Sequence, residues 1–248
     1  MKHKGKYRRG YPVAILAGVE EDRAVLWKVF SNVVKPEKTL WLDGTRDDSR
    51  ALYCFHESIV NALRPTLKEG VRSIVLVSPV RTSYAQQFID HIHSHHAWLV
   101  QGPNRATFSQ ATGSAGTLSE VASLVRTPAF KRLIRETTSG EAENLIDLLE
   151  KHLNSSDRGT VVLYSFAEIE NLILAPQKTE KAVPEYLLLT DDYLSDFRNK
   201  NRMHRLMQVA TNRNIKTRIV DKESNAGQRL TQLGGMIYFA RFERERLV

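Results

Sequence analysis

An α/β fold in two domains is predicted for this 248-residue chain, and three observations predict it. Short apolar and β-branched runs recur between helical patterns in both halves. The stretch Asn154-Ser-Ser-Asp-Arg-Gly159 is polar and small and precedes a fresh apolar run, as a linker does. The length suits one large domain or two of about 100–150 residues each. The expected division is a basic arm at 1–10, a first domain at 11–154 and a second at 159–248.

Tyr11 to Ala17 is a compact apolar run. Arg23 to Phe30 alternates through Val25, Trp27 and Val29, and Thr39-Leu-Trp-Leu42 is a third short run. With short turns between them they predict an antiparallel meander. Asp47, Asp48 and Ser49 offer helix caps, and Leu52, Phe55, Ile59 and Leu63 then form one apolar helix face. Pro65 and Gly70 are expected to close that helix, and Cys54 reads as a small core residue on it. Val71 to Val77 is β-branched, a buried parallel strand. Tyr84, Phe88 and Ile92 mark the next helix, and Ala106 to Thr112 is a short polar strand. Thr117 or Ser119 starts a further helix, which Pro128 breaks. Phe130 to Ile134 resumes it, and Ser139 to Leu153 reads as a separate amphipathic helix.

Beyond the linker, strands at 161–164, 186–189, 217–220 and 237–242 interleave with helices at 166–174, 200–210 and 227–233. That alternation predicts a compact α/β sandwich. Met203, Leu206, Met207 and Ala210 are its clearest buried face. Gly234-Gly235 stop the last helix, since glycine accepts the left-handed conformation common at a helix C-terminus.

No run approaches the roughly 18–20 apolar residues of a membrane helix. The charged first ten residues have no apolar core behind them, so they do not read as a secretory signal. A single cysteine rules out an internal disulfide framework and suits a reducing compartment. A cytoplasmic protein without a membrane partner is expected.

The formal net charge is +8. Residues 1–156 hold 21 Lys+Arg against 16 Asp+Glu, and the whole excess lies in Lys2, Lys4, Lys6, Arg8 and Arg9. A basic arm on a near-neutral body suits phosphate contact, salt-sensitive and blind to sequence; the alternative is a solvated tail. Arg126, Lys131, Arg132 and Arg135 form a second nucleic-acid-binding candidate, set against a plain solvated helix face. Lys200, Arg202 and Arg205, with Arg213, form a third basic group, a partner or RNA face or simple surface.

The cluster His91-Ile-His-Ser-His-His96 invites a metal reading, because on a helix His91 and His95 stand one turn apart, as do His93 and His96, and neutral imidazoles suit zinc or nickel. No third protein ligand is evident beside it. A solvated helix end is therefore the expectation, with no metal and no cofactor. Asp43, Asp47, Asp48 and Glu57 suggest a nuclease-like carboxylate set, but Asp47 and Asp48 read as caps. No Ser/His/Asp order, phosphate-cradling glycine loop or paired-cysteine site stands out, and no catalytic residue is assigned.

The stretch from Glu223 through Ser224, Gly227, Leu230 and Leu233-Gly-Gly235 to Arg241-Phe242 resembles the end of the third domain of Pelota, the ribosome-rescue paralogue of the archaeal and eukaryotic class I release factor. Ala51 to Val60, Ser73 to Pro79 and Ala111 to Ala122 resemble consecutive elements of that family's central domain. Gly159 to Ala175 and Leu187 to Leu194 resemble the entry and second strand of its third. Together these cover about residues 11–243 in the family's order.

The resemblance implies an RNase-H-like mixed-sheet domain, then a smaller sandwich like the kink-turn-binding ribosomal proteins. It implies a non-enzymatic factor for rescue or recycling of stalled ribosomes, as in no-go decay. Its partners would be the ribosome (rRNA and P-site tRNA), a translational GTPase and the ATPase that splits subunits, with Lys200, Arg202, Arg205, Gln228 and Arg229 as partner-binding candidates. Two departures stand beside it. The resemblance starts at the central domain, and the family's N-terminal Sm-like domain is expected to be absent. Gly-Gly-Gln, which positions the hydrolytic water in release factors, is replaced in the loop before the first helix by Leu42-Asp-Gly-Thr-Arg-Asp-Asp-Ser49. Two other readings remain: a peptidyl-tRNA hydrolase using Gln110, near the turn Gly113–Gly116, and a stand-alone RNA-binding adaptor.

Overall fold

The protein is described from a computed structural model covering residues 10–31, 33–102, 104–154, 160–175 and 182–242. The arm residues Lys2, Lys4, Lys6, Arg8 and Arg9 lie outside the described residues. The chain forms two compact units. One runs to Leu67 and continues from Val71 to Thr138; the other takes Lys68–Gly70 and everything from Ser139 onward.

In the first unit, β1 (Pro12–Val19), β2 (Arg23–Phe30) and β3 (Val34–Trp41) make the expected antiparallel meander. β4 (Ser73–Ser78) pairs parallel with β1, and β5 (Thr107–Thr112) pairs parallel with β4. The strand order is therefore β3-β2-β1-β4-β5, the RNase-H-like mixed sheet. Both faces are covered, which is why β1 and β4 read as unbroken apolar runs. Ile15, Ala17, Val19, Leu26, Ile74 and Leu76 face α1 (Ser49–Lys68), α2 (Tyr84–His95) and α3 (Ala97–Val100). Ala14, Leu16, Val25, Trp27, Val75 and Val77 face Val121 of α4 (Leu118–Leu124) and Phe130 of α5 (Pro128–Asn154). Each fully buried aliphatic side chain contributes about 1.5–3 kcal/mol.

Several local expectations change. Pro65 does not end α1, which runs on to Lys68 because buried Thr66 and Leu67 anchor the last turn. Cys54 is exposed, since Phe55 and Ile59 define the inward face and Cys54 lies off it. Pro128 opens a helix instead of interrupting one. The Thr127 hydroxyl accepts the Phe130 N–H at 3.2 Å, and proline's missing donor costs nothing at a first helical position. From there α5 runs unbroken to Asn154, so the segments at 130–134 and 139–153 are one helix. Thr117, not Ser119, caps α4, in a reciprocal capping box with Glu120.

In the second unit the order is β6-β9-β7-β8, with β6 (Thr160–Leu163), β7 (Ala182–Thr190), β8 (Lys216–Val220) and β9 (Met236–Phe242). β9 lies between β6 and β7, antiparallel to both, and β7 pairs parallel with β8. Helices cover both faces, giving the predicted sandwich. Leu145, Ile146 and Leu149 of α5 and Ala226 and Leu230 of α9 (Asn225–Gln232) pack on one face. On the other lie Ile169 and Ile173 of α6 (Phe166–Leu174) and Met203, Leu206 and Ala210 of α8 (Lys200–Asn212). A short helix that the sequence pattern did not reveal, α7 (Asp191–Asp196), follows β7, and the Thr190 hydroxyl accepts the Tyr193 N–H at its start. Among the described residues, no helix is long and apolar enough to cross a membrane.

Candidate functional sites

The basic group of the first unit stands where α5 begins. Arg126, Lys131, Arg132 and Arg135 are all exposed or partly so, with Arg132 and Glu136 pairing at 3.7 Å. Both side chains of that pair are well solvated, so the contact is worth at most about 1 kcal/mol. The first turn of α5 holds no acidic residue, and cations near a helix N-terminus oppose its dipole. The helix dipole therefore does not account for these charges.

The second-unit candidates divide between two surfaces. Lys200, Arg202 and Arg205 belong to α8, whereas Gln228 and Arg229 belong to α9 on the opposite face of the sheet. They are not one patch. Three have duties inside the fold. Lys200 donates to the carbonyls of Leu194 (2.9 Å) and Ser195 at the end of α7. Arg202 grips the Glu170 carboxylate with two donors and lies 4.9 Å from the Phe166 ring centre. The Arg202 hydrogen bond holds the Glu170 carboxyl below the usual carboxylate range. Arg229 reaches Glu150 of α5 at 2.5 Å. Arg205 and Gln228 are exposed.

The loop before α1 is tied down. The Arg46 guanidinium lies 3.8 Å from the Tyr84 ring centre and donates to the carbonyls of Glu20 and Glu21, the latter at 2.9 Å. Asp48 caps α1, its carboxylate accepting the N–H groups of Arg50 at 2.9 Å and Ala51 at 3.2 Å. The cap role expected of Asp48 is thus the one it has. Gln110 is exposed on β5 and donates to Gln86 of α2 at 2.8 Å.

The histidine cluster differs most from expectation. His93 and His95 are exposed, as a solvated helix end requires, but His91 and His96 each keep only 8% of their surface. Both point Nε2 at one carboxylate oxygen of Glu57, from α1, at 3.1 Å for His91 and 2.6 Å for His96. Burial opposes ionisation of Glu57, but hydrogen bonds from His96 and His91 outweigh it and hold its carboxyl low. Burial pushes His91 down, with His95 and His96 adding to the effect and the Glu57 contact resisting it. His56, packed with its ring centre 5.0 Å from that of His91, is driven by burial to about 4. Glu57 is the functional-type residue that sequence reasoning missed as a partner: 34 residues separate it from His91, so no local spacing betrays the contact.

No protein-family model matches the chain, and no curated protein matches it. Solved structures do. Archaeal Pelota, as bound to the ribosome with ABCE1, aligns over 98% of this chain and 64% of its own length, with a TM-score of 0.52 at 15% identity. Dom34 of S. cerevisiae, described as a translation termination-like factor involved in RNA quality control pathways and interacting with Hbs1, aligns over 97% of this chain and 67% of its own, with a TM-score of 0.49 at 20% identity. This chain thus spans about two thirds of the length of the proteins it resembles. The shared feature is the fold, both units in the same order.

Proposed function

We propose that this chain is a Pelota-like translation factor that binds the ribosome and acts in rescue or recycling of stalled ribosomes without hydrolysing peptidyl-tRNA. The observation that carries the reading is the alignment of nearly the whole chain, both units in order, with a Pelota solved on the ribosome. The collinear sequence stretches from Ala51 to Phe242 support it independently. In this reading the two units are the central and third domains, the third taking the C-terminal half of α5 from Ser139 together with residues 159–248. The third recruits a translational GTPase or the subunit-splitting ATPase through Lys200, Arg202 and Arg205 on one surface or Gln228 and Arg229 on the other. Mechanism is occupancy: the factor marks a stalled ribosome and delivers the splitting machinery.

The experiment is co-sedimentation with ribosomes from the source cells. The protein should travel with ribosomes or subunits, whereas a profile confined to the top of the gradient overturns the reading and favours a stand-alone RNA adaptor. Basic arm and α5 patch are the phosphate-contacting surfaces of the proposal. Deleting residues 1–9 should therefore weaken binding and flatten its salt dependence, by roughly 0.7–0.9 in logarithmic slope for each phosphate the arm neutralises. Unchanged binding and slope remove the arm from the interface.

A peptidyl-tRNA release assay tests the non-hydrolytic part. Gln110 sits in a strand with its amide bonded to Gln86, a poor setting for a group that must reach into another molecule. Release by the wild type should equal the factor-free background, and Gln110→Ala should change nothing. Robust release that Gln110→Ala abolishes overturns this choice.

A further inference from the structure

We propose that Glu57, His91 and His96 bind one divalent first-row metal ion of the imidazole-binding kind, clipping α1 to α2. The inference is independent of the ribosomal reading and rests on the first unit alone. Two imidazole nitrogens and one carboxylate oxygen converge, their ligand atoms all within 4.8 Å of one another. A tetrahedral ion with bonds of roughly 2.0–2.2 Å holds its ligands about 3.3 Å apart. Closing the triad around an ion therefore asks for small side-chain movements only. The three residues come from different places: the middle of α1, the last turns of α2, and the junction between α2 and α3. Their meeting is a product of the tertiary fold.

The donor set narrows the ion to the imidazole-binding first-row metals, with zinc as the probe. Two imidazoles and one carboxylate form the ligand set of open zinc sites, in which water takes the fourth position. Magnesium and calcium prefer all-oxygen cages, and the soft thiolate-seeking ions find no sulfur here. Burial selects the geometry. His91 and His96 are held by the core, while the Glu57 side chain keeps 27% of its surface, so the open position faces water. The rings of Tyr53 and exposed His95 flank His91, with centres 5.1 and 4.8 Å away. The same helix offers a competing surface pair, His91 with His95, and the test must separate the two.

The full-length chain, stripped with a chelator, is titrated with zinc by calorimetry and with cobalt by visible absorption. One ion per chain is expected, with the cobalt bands of a four-coordinate nitrogen–oxygen site. A hundredfold excess over Kd should raise the melting temperature by about 5–10 °C. Glu57→Gln, nearly isosteric, and His96→Gln should each weaken zinc binding at least tenfold. The double variant His93→Gln/His95→Gln should bind within about twofold of wild type. Ring-proton resonances of His91 and His96 in the unmodified protein should move on zinc addition while those of His93 stay, a readout that needs no variant to fold. The proposal is overturned by absence of stoichiometric binding, by undiminished binding in folded Glu57→Gln and His96→Gln, by loss of binding in the double variant, or by shifts confined to His93 and His95.

Discussion

Glu141→Ala is expected to destabilise the second unit by about 3–5 kcal/mol, the range found when one member of a buried ion pair is removed. Glu141 on α5 and Arg218 on β8 meet at 2.7 Å through both carboxylate oxygens, with side chains only 2% and 6% exposed. The substitution strips a buried guanidinium of the carboxylate it is aligned on. Water cannot replace that partner without opening the packing of α5 against the sheet. The pair is costly to break, yet its net contribution relative to an apolar pair is small, because desolvating two charges offsets most of their attraction. The double variant Glu141→Leu/Arg218→Met should therefore recover most of the loss. Urea unfolding followed by circular dichroism reads both. A single-variant loss below about 1 kcal/mol would show that solvent reaches the pair.

Gly227→Ala should cost about 2–3 kcal/mol through crowding alone. A β-carbon at Gly227 falls on the Asp221 carbonyl oxygen and 2.7 Å from the Lys222 α-carbon, both backbone. That turn is pinned. The Asp221 carbonyl accepts the Ser224 hydroxyl at 2.6 Å and its N–H at 3.0 Å, and the same hydroxyl accepts the Gly227 N–H at 3.0 Å to cap α9. A methyl group must push the cap and the turn apart together. Gly234→Ala is the contrasting control, since its β-carbon meets nothing nearer than 4.0 Å and any loss there comes from its φ of +103°. Thermal denaturation of both variants separates crowding from backbone strain; an unperturbed Gly227→Ala would mean the turn yields freely.

Much of the architecture was legible because periodicity carries it. The meander, the run at 71–77 and the α8 face through Met203, Leu206 and Ala210 all announce themselves in apolar spacing. What escaped was decided by tertiary contact. Pro65 lies inside a helix because Thr66 and Leu67 are anchored beyond it, and no local rule reports that anchoring. β3 begins before Pro36 because an edge strand beside a register shift tolerates a missing donor. The basic groups were visible as charges, but their division by the second sheet into α8 and α9 surfaces was not. Histidine spacing drew attention to the right helix and missed the carboxylate that organises it, which arrives from α1.

The place of β9 between β6 and β7 bears on how the protein is made. During synthesis both neighbours leave the ribosome first, and β6 then has no pairing edge until residues 236–242 follow. A nascent chain stopped anywhere before Met236 presents unsatisfied strand edges to its surroundings, the kind of surface that recruits chaperones or seeds misassembly. The second sheet is thus completed late, while the first unit, whose sheet is complete at Thr112, has every strand in hand long before.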